Sequence, residues 1–281
     1  MITYTLQPTK TLFSIKAMYT SKVAFLGIPY DAGNTCRAGS RFAPWYIRQS
    51  SEFLEEFSML YRRDIRECDI SDWGNINVSF GDFGETLKRV KNVLGSINAQ
   101  KYLLLGGEHT ISIMVVNTFA ERIKKYVQLD AHPDFYENYE GNKFSHACVA
   151  RRIGETIGFD RITIIGIRSF SKQNIMDLEE FGVRYYTILD VYDDPSILKK
   201  EIRSADYLSI DMDFFDPAYV PEVSCPEPMG YNIRDFLMMI PGIGARIVDV
   251  TEVVPQSPFD ISSITTAILL REIGIQLSIE S

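Results

Sequence analysis

Apolar residues along this chain fall into two kinds of run that alternate. Short β-branched stretches are apolar at nearly every position, while longer ones repeat their apolar residues every three or four. KVAFLGIPYD (22–31), KYLLLGG (101–107), KYVQLDAH (125–132), RITIIGIR (161–168), VRYYTI (183–188), DYLSIDMD (206–213) and ARIVDVTEV (245–253) read as strands. APWYIRQSSEFLEEF (43–57), GETLKRVKNVLGSI (84–97), TISIMVVNTFAERI (110–123), KQNIMDLEEFG (172–182) and ISSITTAILLREIGI (261–275) read as helices. Pro44 stands near a helix start, where its missing N–H is harmless. Strands without a polar face, separated by helices, predict an α/β fold with a mainly parallel sheet covered on both sides. There is no repeat, low-complexity tract or Pro/Ser-rich linker, so residues 1–281 are expected to form one domain. The segments 29–44 and 133–148 are long and irregular, which suits function better than packing.

Composition narrows the partners. A net charge of −8 with no run of Lys or Arg argues against a nucleic-acid surface. No apolar stretch approaches the roughly 20 residues that span a bilayer, and the N-terminus lacks an uninterrupted apolar signal core. The four cysteines, Cys36, Cys68, Cys148 and Cys225, are scattered and form no C-x-x-C pair. They read as reduced thiols of a soluble cytoplasmic protein rather than a disulfide frame or a zinc site.

The unusual chemistry sits where predicted strands end. LLLGGEH delivers His109, VQLDAHPD delivers Asp130, His132 and Asp134, and LSIDMDFFD delivers Asp211, Asp213 and Asp216. In open α/β sheets ligands bind outside the carboxyl ends of the strands. Strand residues two apart share a face, so Asp130 would project with His132, and Asp211 with Asp213. Converging carboxylates repel unless cations neutralise them, and neither motif holds a Lys or Arg. Two divalent ions fit this donor set. Oxygen-rich ligation with some imidazole suits Mn²⁺, and paired metals activate a bridging water. Taken singly, either motif is as well read as solvated loop acids, and D-x-D also opens phosphatases that form an aspartyl-phosphate. That second reading leaves His109, Asp130 and His132 unused.

Taken together, GIPYDAGNTCRAGSRFAPWYIR, GGEHT, DAHPD, GNKFSHACVARR, SIDMDFFDPAYVPEVSCPEP and DVTEVVP resemble the ureohydrolase family of arginases and agmatinases, from about Phe25 to the last helix. The resemblance implies a three-layer α/β/α sandwich with two Mn²⁺ ions. It places His109, Asp130, Asp134 and Asp211 on one ion and Asp130, His132, Asp211 and Asp213 on the other. His146 matches the family's proton-shuttling histidine, and Glu252 the carboxylate that pairs with the substrate guanidinium. Asp134, His146 and Glu252 are thus the expected catalytic residues, and Glu252, Tyr136 and Asn142 the expected substrate contacts. The implied reaction is attack of metal-bound hydroxide on the guanidinium carbon. The implied assembly is a homo-oligomer, a trimer or a hexamer.

The loop FYENYEGNKFSHAC looks like that of archaeal and bacterial agmatinases. Its Tyr136, Glu137, Tyr139 and Glu140 suit a cationic diamine tail better than a carboxylate. The expected reaction is therefore agmatine to putrescine and urea, a step of polyamine synthesis. Departures from the family pattern lie near the expected mouth. Tyr136 stands where agmatinases often have Arg, Ala43 replaces a common glycine, and PEVSCPEPMG replaces a glycine-rich run, placing Glu222, Val223, Ser224, Cys225 and Met229 there. A guanidinobutyrase, an arginase-like enzyme and a non-catalytic metal-binding protein stand as alternatives.

Overall fold

Successive residues of a strand face opposite sides of a sheet, and the central strands here bury both sides. Val23 and Phe25 enter one apolar cluster while Ala24, Leu26 and Ile28 enter another, and Leu103 and Leu105 separate from Tyr102 and Leu104 in the same way. The computed structural model describes residues 4–7, 10–17, 20–33 and 35–279. Among these, nine strands form one sheet in the order Thr5–Leu6, Ile70–Ile76, Val23–Ile28, Lys101–Gly106, Ile247–Thr251, Tyr207–Asp211, Tyr126–Leu129, Ile162–Ile167, Arg184–Thr187. Every neighbouring pair is parallel except the first, where Thr5–Leu6 runs antiparallel along the edge.

Helices cover both faces. Ala43–Ser51, Ser196–Ser204 and Ile261–Ile279 contribute to one core, and Phe83–Ser96, Ile111–Phe119, Val149–Ile157 and Lys172–Glu180 to the other. The last helix is buried around much of its circumference. Among the described residues no helix is long and apolar enough to cross a membrane. The mainly parallel α/β/α sandwich expected from the alternating runs is therefore present.

Several boundaries differ from the expectation. The helix expected over 43–57 stops at Ser51; beyond it Phe53 and Phe57 are exposed, and of the later apolar residues only Leu54 packs against the core. The strand Ile70–Ile76, sequence ISDWGNI, was not expected, since polar residues interrupt it. Its Asp72 is tolerated inside because Arg48 forms paired bonds to both oxygens at 2.8 Å. Arg48 also donates to Asn75 Oδ1 at 2.7 Å and to Pro44 O at 2.8 Å, and both charges are fully buried. This pair fixes the helix that follows the 29–42 loop against the sheet. Within that loop, Asp31 accepts the N–H groups of Gly39 and Arg41. Removing one member of a buried pair strands the other. Arg48→Ala is therefore expected to lower unfolding free energy by about 3–5 kcal/mol, measured by urea denaturation; a loss below about 1 kcal/mol would remove the pair from this role.

Candidate metal centre and active site

Four adjacent strands end at one place. Leu129 is in register with Ile210, so Asp130 follows one strand where Asp211 ends its neighbour. Asp211 is paired with Thr251, which Glu252 follows, and Val250 is paired with Leu105, three residues before Glu108 and four before His109. Parallel pairing thus gathers side chains distant in sequence at the carboxyl edge, where the chain order of the strands is broken.

The D-x-H and D-x-D spacings act through turns, not through extended strands as first expected. The Tyr126–Leu129 strand stops before Asp130, whose Oδ1 accepts the His132 N–H at 2.6 Å. Asp211 Oδ1 likewise accepts the Asp213 N–H at 2.9 Å. In each case a carboxylate caps its own turn and keeps its other oxygen for the cluster. Asp134 and Glu252 have φ of 48° and 64°, a region that costs a residue with a Cβ about 1–3 kcal/mol.

His109 shows what the cluster requires. The Asp249 carboxylate can only accept, so the Ser209 hydroxyl donates to it at 2.6 Å. Ser209 therefore accepts Nε2–H of His109, 3.0 Å away. Nδ1 of the neutral ring then points a lone pair at Asp134, Asp130 and Asp211 oxygens, at 3.0, 3.2 and 3.3 Å. It is fully buried and has no hydrogen-bond partner. His132 Nδ1 faces Asp213 at 2.9 Å and Asp130 at 3.6 Å. Acceptors that face acceptors in a dry site need a cation between them. His109, Asp130 and Asp211 form one group that could hold a metal ion, and Asp130, His132 and Asp213 another, with Asp130 in both. The donor set fits two divalent cations.

Charge compensation by protons alone distorts several titrations here. Burial, then the Asp130 charge, pushes Asp134 up to about 7. Burial with Asp213 and Asp130 raises Asp211 well above the carboxylate range. Burial opposes the charged form of His109, yet the closeness of the Asp130, Asp134 and Asp211 carboxylates outweighs it and raises the imidazole. Glu252 is raised by burial and by Glu108.

A cavity of about 420 Å³ opens onto the cluster and is lined by His132, Asp134, His146, Asp211, Asp213 and Glu252. Tyr136 also lines it, with its ring 5.3 Å from that of Tyr139. Asn142 does not. Its side chain is turned to the backbone of its own loop, where Oδ1 accepts the Phe144 N–H at 2.9 Å. Glu222 and Met229 are also absent from the lining, Glu222 being drawn to Ser262 at the start of the last helix. Glu252 Oε1 accepts the His109 N–H at 2.6 Å, and its buried Oε2 has no partner. His146 Nδ1–H donates to Gly33 O at 2.7 Å, which leaves Nε2 as the acceptor, 3.4 Å from Thr35.

Several residues that hold this arrangement escaped the sequence reading. Gln128 donates to Asp130 Oδ2 at 2.8 Å. Glu108 accepts the Gly33 N–H at 2.6 Å, and so sets the loop that grips His146. Glu227 lies 3.5 Å from His132 Nε2. The available signal was polar residues inside apolar strands, namely Gln128, Ser209 and Asp249, each of which needed a buried partner.

Residues 21–277 match the family model described as arginase. The chain belongs to the arginase family. It is 33% identical to the N(1)-aminopropylagmatine ureohydrolase of Thermococcus kodakarensis, over 95% of this chain and 94% of that protein. It is 35% identical to an agmatinase of Pyrococcus horikoshii, over 87% of this chain and 88% of that one. Among solved structures, the agmatine ureohydrolase of Thermoplasma volcanium superposes with a TM-score of 0.86 at 31% identity, covering 96% and 94% of the two chains. For this arginase-family chain, cations that bind only the folded state add stability by mass action. A hundredfold excess of Mn²⁺ over its Kd is expected to add about 2.7 kcal/mol, read as a higher melting temperature that a chelator reverses. Asp130→Asn should abolish the shift; an equal shift in that variant would place the ions elsewhere.

Proposed function

We propose that the chain is a ureohydrolase that uses two Mn²⁺ ions to hydrolyse agmatine to putrescine and urea. His109, Asp130, Asp134 and Asp211 would hold one ion, and Asp130, His132, Asp211 and Asp213 the other, with Asp130 and Asp211 shared. When bound, the ions supply Lewis acidity and a water acidified to near neutrality. The observation that carries the reading is Glu252. Its unpartnered Oε2 is buried in the wall of the cavity that the paired clusters face. A planar guanidinium presents parallel N–H groups, and a carboxylate is the side chain that accepts them in pairs.

Glu252 orients the guanidinium so that its carbon meets the water held at the cluster. The water would add to that carbon and give up a proton, and the tetrahedral carbon would then collapse to urea, releasing the tail nitrogen as an amine once that nitrogen has taken the proton. Asp134, at the inner wall, is the group that carries this proton. His146 lines the same cavity, where burial lowers its basicity. It is therefore neutral at neutral pH, with Nε2 available to exchange protons with solvent.

The mouth favours a cationic tail. Among the described residues, no Lys or Arg lines the cavity, so the carboxylate of arginine would find no ion partner. Tyr136, Tyr139 and Phe170 offer ring faces, and Glu227 a carboxylate, to an ammonium. The named relatives act on agmatine or on its aminopropyl derivative, which supports the same class. One observation favours a guanidino acid. Asn174 lines the cavity, its Oδ1 is fixed by the Ser171 N–H, and its Nδ2 donor is unpartnered.

Urea release by the Mn²⁺-loaded protein from agmatine, N(1)-aminopropylagmatine, guanidinobutyrate and arginine separates these readings. Agmatine or its aminopropyl derivative should give the highest kcat/KM and arginine the lowest, and no urea from any of them rejects the assignment. Glu252→Gln should lower kcat/KM for the preferred substrate about 10²–10³-fold through loss of a charged pair. His146→Asn should lower kcat about 10²-fold with metal content unchanged; unaltered kcat would remove it from proton transfer.

A further inference from the structure

Cys36 and Cys225 are 189 positions apart (225 − 36) and carried by different loops, yet both line the mouth of the cavity. Burial, and after it the neighbouring Cys36 thiol, raise the Cys225 thiol. The loops are also joined beside them, since the Ser224 hydroxyl donates to Arg37 O at 3.1 Å and Arg37 reaches Pro221 O at 3.4 Å. Cys36 is exposed to solvent, and Cys225 is half-buried. Of the other two thiols, Cys148 is buried and donates to Asn142 O, and Cys68 donates to Asp64 O, so neither is turned to this pair.

We propose that Cys36 and Cys225 are a redox modification site, a dithiol that forms a reversible disulfide across the mouth and clamps the two loops together. The oxidant is a small-molecule disulfide such as glutathione disulfide. The Cys36 thiol loses its proton and attacks one sulfur of that molecule, whose S–S bond breaks and releases one thiol. The Cys225 thiol then loses its proton and attacks Cys36 Sγ, and the second thiol leaves. Two protons and two electrons pass from the pair to the reagent, and one protein S–S bond forms.

The clamp joins the two sides of the site. One side is the loop whose Gly33 carbonyl orients His146. The other is the loop whose Ser224 N–H donates to the Glu252 carbonyl at 3.0 Å. Because the two loops are already joined by hydrogen bonds beside the thiols, the bond braces the mouth rather than plugging it. Closing so long a stretch of chain also removes freedom from the unfolded state.

The Mn²⁺-loaded full chain, equilibrated with glutathione disulfide and then alkylated in denaturant, tests this. The expected result is two alkylated cysteines instead of four and a mass lower by two hydrogens. A peptide should join Cys36 to Cys225, with a melting temperature several degrees higher, all reversed by dithiothreitol. Cys36→Ser and Cys225→Ser should abolish the link and the shift, with Cys225→Thr as a substitute if Cys225→Ser folds poorly. A glutathione adduct that persists on Cys36 beside a free Cys225 overturns the proposal. So does a link through Cys68, Cys148 or a second chain.

Discussion

Like charges brought together out of water constrain everything else in this molecule. Asp130, Asp134, Asp211 and Asp213 are all buried within reach of two imidazoles. At such distances in a poorly polarisable interior, carboxylates cannot all remain ionised without compensating positive charge. The parallel register enforces the encounter, because the strands that end at Leu129 and Asp211 cannot slide without reversing their buried faces. The fold therefore supplies rigid geometry, and the residues it gathers could hold divalent cations whose charge would make it tolerable. The lone pair of His109 Nδ1, turned toward three carboxylate oxygens by Ser209 and Asp249, expresses the same demand in one side chain.

Around that cluster, hydrogen bonds carry position outward from rigid elements to loops. Glu108 follows a central strand and holds Gly33, and Gly33 holds His146. Gly33 has little room for a side chain, since an added Cβ would lie 3.2 Å from the Glu108 carboxylate. Unfavourable backbone at Asp134 and Glu252 sits where direction of a side chain matters more than local comfort. Irregular loops thus acquire defined geometry from buried carboxylates rather than from their own secondary structure.

The sequence was most legible where a residue type has few innocent uses. Strands apolar on both faces announced a covered parallel sheet, and three histidines, each set among acids or small residues, announced the site. It was less legible where one burial depends on another. ISDWGNI concealed a strand because Asp72 is acceptable only beside Arg48, which lies on a different element. FLEEF extended a helical pattern past Ser51, since periodicity cannot tell an apolar side chain that reaches the core from one left outside, such as Phe53. Asn142 looked like a substrate contact by position in its loop, but its oxygen is spent locally on Phe144. Cys36 and Cys225 carried no sequence signal, because only the meeting of two distant loops makes them neighbours.

The central claim is that two cations share these carboxylates. Crystals grown with Mn²⁺ and measured at the manganese absorption edge test it directly. Two anomalous peaks per chain are expected about 3.5–4 Å apart, one beside His109 and one beside His132, with Asp130 and Asp211 between them. A single peak, or a pair of peaks remote from either histidine, would contradict it.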